Sequence, residues 1–215
     1  MVPLLQKKLG NMLMLIEQIS NRIILLKYET SKDAAVAFLR FQEHYESPNP
    51  HFKGGVFTVG EYYDWYSQEN GSATYYDDWS GFNIPSYVLK PFVQGLFDPL
   101  TAYEQEIVNH FKYRTDKFYL IGVGMNSTED TIDHEVCHGL YYTCDEYREA
   151  VQQALSDYDL SDLEDYLLSI GYCEDVLLDE VHAYISASRD YLEGNEFEID
   201  DDLHKNLRQL KKKYE

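Results

Sequence analysis

One five-residue stretch, His134-Glu135-Val136-Cys137-His138, constrains this chain more than any other. The H-E-x-x-H spacing is productive on a helix, where residues four apart lie one turn along the same face. Both imidazoles then point the same way and can share one divalent ion. Glu135 lies beside that face, where a carboxylate can take a proton from an attacking water. The bland alternative is two unconnected histidines on a surface or in a core. On the sharper reading the fold needs one rigid helix and a further ligand brought to it from elsewhere in the chain.

The flanks suit that requirement. Lys117-Phe-Tyr-Leu-Ile-Gly-Val-Gly124 reads as the clearest strand, and Ser127-Thr-Glu-Asp130 has the form of a capping box. A helix opens there and runs through the motif to about Thr143. Upstream, residues 4–20 carry Leu5, Met12, Leu15, Ile16 and Ile19 near helical spacing and read as an amphipathic helix. Arg22–Tyr28 is β-branched and short, which predicts a strand, and Ser31 caps a helix to about His44. Thr58-Val-Gly-Glu61 and Thr101-Ala-Tyr-Glu104 are capping boxes that open two further helices. Asn70 to Gly95, rich in Gly, Asp, Asn and aromatics, reads as an ordered loop with short extended pieces. Helices follow at Asp145–Ser156, at Ser161–Ile170 (stopped by Gly171) and at Asp175–Ser188, then a loop from Glu193 and a terminal helix from Leu203. With no internal repeat and no low-complexity linker, one domain over 1–215 is expected. Its parts are an N-terminal lobe (1–116), a strand and motif region (117–190) and an acidic loop with a last helix (191–215).

The formal net charge of -20 narrows the choice of partner. Residues 1–120 hold 14 Asp/Glu against 11 Lys/Arg, whereas residues 121–215 hold 24 against 7. Such a field repels phosphate backbones, so nucleic acid is not an expected partner. Plain solubility explains it as well, and a preference for basic substrates or cations is the sharper reading. The 20 Tyr and 10 Phe predict rings lining half-exposed surfaces or a groove. Three cysteines (Cys137, Cys144, Cys173) without a C-x-x-C fit a reducing compartment. Cys137 is expected to face the core as a small hydrophobe. No stretch approaches a transmembrane span. A soluble cytoplasmic protein is the default expectation, with signal-less secretion left open. His44, His51, His110 and His204 have no partner pattern.

Two histidines do not make a protein zinc site; a third protein ligand is needed. Cys144, six residues after His138, offers a thiolate but lacks a glycine to turn the chain back. Glu180, in Leu177-Leu-Asp-Glu-Val-His-Ala-Tyr184, borders Leu177, Ala183 and Ala187 on a predicted helix. A carboxylate there is costly unless paired or metal-bound, against the alternative of a solvated helix Glu. Asp179 points more with Asp175 and His182 on the polar side, and His182 itself has mixed neighbours. Glu180 is the preferred third ligand.

His134-Glu-Val-Cys-His138, followed some forty residues on by Asp-Glu180-Val-His-Ala, resembles the gluzincin branch of zincin metallopeptidases, the thermolysin-like and lethal-factor-like enzymes. The resemblance covers about Lys117 to Ser188. It implies an α+β, zincin-like fold, with a small mixed sheet, a motif helix and a following helical subdomain. It also implies Zn2+ on His134, His138 and Glu180, Glu135 as general base, and a peptide or protein substrate. The strand Phe118–Gly124 would bind that substrate by edge pairing. Where thermolysin-like enzymes orient a ligand histidine through an Asp four residues past the ligand Glu, this chain has Tyr184. Tyr172, eight residues before Glu180, stands near the place of the transition-state Tyr of the lethal-factor-like enzymes and is the expected oxyanion donor. The rival readings are a metal-dependent hydrolase of esters or small amides, and an inactive metal-binding or interaction module.

Overall fold

A computed structural model describes residues 5–9 and 12–215, with side chains from Met14 onward. It is α+β. The chain divides into two compact units, one ending at Ser127 and the other spanning Thr128–Glu215. The boundary falls after the strand that precedes the motif, not at residue 116. That strand is hydrogen-bonded into the sheet of the first unit.

The first unit holds β1 (Leu5–Leu9), β2 (Met12–Gln18), β3 (Ile23–Tyr28), β4 (Gly81–Pro85) and β5 (Tyr119–Gly124) in one mixed sheet of order β1-β2-β3-β5-β4. Its helices are α1 (Ser31–Glu46), α2 (Val59–Glu69), α3 (Tyr75–Asp78), α4 (Leu89–Val93) and α5 (Ala102–Phe111). Three of them begin with a reciprocal cap. Thr30 with Asp33, Thr58 with Glu61 and Thr101 with Glu104 each satisfy two orphan N–H groups. For α1 the cap is therefore Thr30 and not Ser31.

The expected helix over residues 4–20 is a strand pair instead; residues 4, 10 and 11 of that span lie outside the described residues. Met14 and Ile16 turn the same way, into a core shared with Leu26 and Tyr28, their neighbours across the β2–β3 ladder. Glu17, on the other face, pairs with Lys27 at 2.8 Å. The apolar spacing fits period 3.6 and period 2 alike, and ladder partners decide between them. The predicted loop from Asn70 to Gly95 is also more regular than its composition suggests, containing α3, β4 and α4.

Strand β5 is not an edge. It pairs in parallel with β3 and antiparallel with β4, so both of its hydrogen-bonding sides are used. The expectation that residues 118–124 offer substrate a free edge is overturned, because Asn83 and its neighbours already occupy it. Gly122 of β5 lets α1 approach the sheet: a Cβ there would stand 2.3 Å from the Phe38 ring.

Many aromatic rings form core rather than groove wall. Phe52, Phe57, Tyr62 and Tyr75 are buried together and meet edge to face, with centroids near 5 Å. Arg40 is buried among them and is charge-compensated: its Nε donates to Glu104 Oε1 at 2.7 Å and its Nη1 to the Phe97 carbonyl at 3.0 Å.

The second unit is helical throughout: α6 (Glu129–Thr143), α7 (Asp145–Leu155), α8 (Ser161–Ser169), α9 (Leu177–Ala187), α10 (Arg189–Gly194) and α11 (Asp201–Tyr214). Helices α6 and α9 lie against each other, and α11 packs on α7 and α9. Val136, Cys137 and Leu140 of α6 and Val181, Ala183 and Ile185 of α9 are buried. Gly171 ends the α8 segment at φ +113°, a conformation that costs a glycine little. Two side chains of α11 hold its neighbours. His204 Nδ1 lies 2.6 Å from the Ile185 carbonyl of α9, and Lys211 Nζ donates to Asp133 of α6 at 2.9 Å.

Candidate metal centre

Thr128, not Ser127, starts the motif helix; its hydroxyl accepts from the Thr131 N–H. Glu129 and Asp130 in the first turn complement the helix dipole. The helix then runs unbroken through His134 and His138. With Val136, Cys137 and Leu140 facing the core, the histidine face is turned toward α9. Cys137 is fully buried, and burial pushes its thiol up to about 12, as a small hydrophobe requires.

On that face the two Nε2 atoms lie 3.1 Å apart. Glu180, from the first turn of α9, brings Oε2 to 3.6 Å from His134 Nε2 and Oε1 to 3.6 Å from His138 Nε2. Ligand atoms of the three residues all fall within 4.8 Å of one another. Donors about 2.0–2.1 Å from a tetrahedral ion stand roughly 3.3 Å apart, so the three donors are spaced as one small ion demands. Glu180 Oε2 is buried without a hydrogen-bond donor, an expensive state for a carboxylate unless a cation meets it.

The outer ring nitrogens are also held. His138 Nδ1 faces Asp179 Oδ1 at 3.0 Å, and His134 Nδ1 lies 3.1 Å from Ser188 Oγ. A carboxylate only accepts, so the His138 Nδ1–H points toward Asp179. A carboxylate behind an imidazole is an arrangement that orients a histidine. Burial alone would depress the His138 pKa, but the charges of Asp179, Glu180 and Glu135 overcome it and hold it well above the usual imidazole range.

Each expected site residue can be placed. His134, His138 and Glu180 converge. Glu135 is buried beside them, near enough for its charge to act on His138. Asp179 falls outside the converging group; it sits behind His138 and also faces His182 Nδ1 at 3.3 Å. His182 is fully buried, stacked on Tyr141 with centroids 5.0 Å apart, and burial lowers its pKa to about 4, so it is neutral. Cys144 lies at the helix end with Sγ 3.5 Å from Glu146 and is outside the ligand group. Tyr172 reaches the centre through a neighbour: its hydroxyl is 3.2 Å from that of Tyr184, whose ring stands edge-on to His134 at 4.8 Å. Burial keeps the Tyr184 phenol protonated.

Tyr184 therefore does not orient His134 through its hydroxyl. Ser188 makes that contact from the C-terminal end of α9, eight residues after Glu180, and no spacing in the sequence marks it. Asp179 was legible as a polar-face residue beside His182, but its bond to His138 depends on how α6 and α9 pack.

Comparison with protein-family models, curated proteins and solved structures returns no match. The zincin resemblance therefore rests on the sequence motif alone. Among the described residues no helix is long and apolar enough to cross a membrane.

Proposed function

We propose that the chain is a zinc-dependent metallopeptidase of gluzincin type, with Zn2+ held by His134, His138 and Glu180. The observation that carries this reading is the convergence of two Nε2 atoms and an unpartnered buried carboxylate oxygen, next to Glu135. Two nitrogens and one carboxylate, with Asp179 and Ser188 behind the histidines, are a donor set suited to a catalytic zinc that keeps a position open. When bound there, zinc lowers the pKa of water toward about 7 and polarises the scissile carbonyl.

The protein groups share the remaining work. Glu135 takes the proton of the attacking water and delivers it to the leaving amine. The Tyr172–Tyr184 hydroxyl pair, joined to the centre through the ring on His134, supplies the donor for the developing oxyanion. The second unit is the acidic part of the chain, which favours basic side chains beside the cleaved bond.

The test pairs metal analysis with a peptide-library assay on the wild type and Glu135→Gln. The variant should keep one metal per chain and lose hydrolysis by roughly 100-fold or more. Full activity in the variant would remove Glu135 as the base. A wild type that holds metal but cleaves only esters would move the assignment to another hydrolase.

A further inference from the structure

The first unit carries a surface opposite in character to the rest of this acidic chain. Next to α4 and the end of α5, a cavity of about 260 Å³ has Leu89, Phe111 and Phe118 among its lining and Lys90, Lys112 and Arg114 along it. Small-molecule sites usually enclose about 300–1,000 Å³, so this space suits one anchoring side chain better than a whole ligand. The three cations differ in what they can do. Arg114 is fixed as wall: its guanidinium binds Asp116 and the Asn21 carbonyl and lies 4.6 Å over the Phe118 ring. Lys90 and Lys112 are exposed, and among the described residues neither makes an ion pair with a carboxylate; Lys112 meets the neutral Asn109 at 3.1 Å and lies 5.2 Å over the Tyr113 ring.

Lysines near helix C-termini also complement the helix dipole. That role does not call for the apolar side chains around them. Tyr87 is 58% exposed, Val93 44%, Leu96 56% and Tyr113 85%, all on segments that also form the cavity. Solvated aromatic and aliphatic groups beside ammonium groups that no carboxylate neutralises are the composition of a recognition surface.

We infer that this groove docks an acidic peptide segment, which seats one apolar side chain against Leu89, Phe111 and Phe118 while its carboxylates meet Lys90 and Lys112. Charge complementarity selects that occupant. Lys90 and Lys112 make no ion pair with a carboxylate among the described residues, and the concave shape, with room for one side chain, does not suit a bilayer. The groove lies apart in sequence from the metal ligands, so its failure and that of the peptidase reading are separately visible.

The probe is a fluorescein-labelled heptapeptide of Asp and Glu with one central Leu, titrated with the full chain and followed by anisotropy. Mass spectrometry checks that the peptide stays intact. Expected is saturable binding that weakens between low and physiological salt and falls roughly tenfold in Lys90→Glu/Lys112→Glu. Replacing the central Leu by Ser should weaken binding as well, and a Lys-for-acid peptide should not bind. Both lysines are exposed, so the double variant should fold, which circular dichroism verifies. Absence of saturable binding, or binding indifferent to the double variant, overturns the inference. So does stronger binding, lost in the same variant, to phosphatidylserine vesicles or to single-stranded RNA.

Discussion

Replacing Asp179 by Asn tests the metal centre without reference to any substrate. In the native chain Asp179 Oδ1 stands 3.0 Å from His138 Nδ1 and 3.3 Å from His182 Nδ1, within a buried site. Asn keeps the size and one acceptor oxygen but removes the charge. A hydrogen bond to a charged group contributes about 1.5–3 kcal/mol and a neutral one about 0.5–1.5, so the exchange costs about 1–2 kcal/mol. At about 1.4 kcal/mol per decade, zinc affinity should fall roughly 5- to 30-fold. That range overlaps the roughly 10- to 100-fold effect of removing an outer partner of a ligand histidine. The assay is competition with a chromophoric chelator on folded protein, with circular dichroism confirming equal helix content. Ser188→Ala removes only a neutral hydroxyl from His134 and should cost at most a few-fold. An Asn variant that is folded and binds zinc with wild-type affinity would refute the role given to Asp179. A wild type that binds no zinc would refute the site itself.

Two further outcomes concern the first unit. Arg40→Met should destabilise the chain by about 3–5 kcal/mol in urea denaturation, because it leaves the Glu104 carboxylate buried and unpaired; a loss below about 1 kcal/mol would show that water compensates Glu104. Glu43 is buried, and burial raises its pKa against the hydrogen bonds of Tyr62, Tyr75 and Ser47. The folded state then holds its proton more tightly than the unfolded state. The stabilisation is complete below the unfolded carboxylate pKa and is lost as pH rises through the folded value. Stability of Glu43→Gln relative to wild type should therefore improve as pH rises through that window, and a pH-independent difference in melting would contradict it.

The candidate centre was legible where chemistry is local. H-E-x-x-H announces itself because a helix fixes the relation of residues four apart, whatever surrounds it. The apolar neighbours of Glu180 marked a carboxylate that burial would make expensive, and the structure buries it against both histidines. The capping boxes at Thr58 and Thr101 were likewise readable, since a cap closes within four residues.

Features that depend on partners distant in sequence were not readable. Residues 12–18 satisfy helical and strand spacing equally, and the β3 ladder makes them a strand. Strand β5 looked like a free edge because the segment that covers it, Gly81–Pro85, reads as loop by composition. Ser188 and Asp179 took their places behind the histidines only once α6 and α9 lay together. Sequence by itself determined the donor types and the helix that presents two of them, because those are set by covalent spacing and local hydrogen bonds. Tertiary structure decided which carboxylate enters the centre, which stands behind it and which strand edges remain open. Those outcomes follow from packing and pairing between segments tens of residues apart.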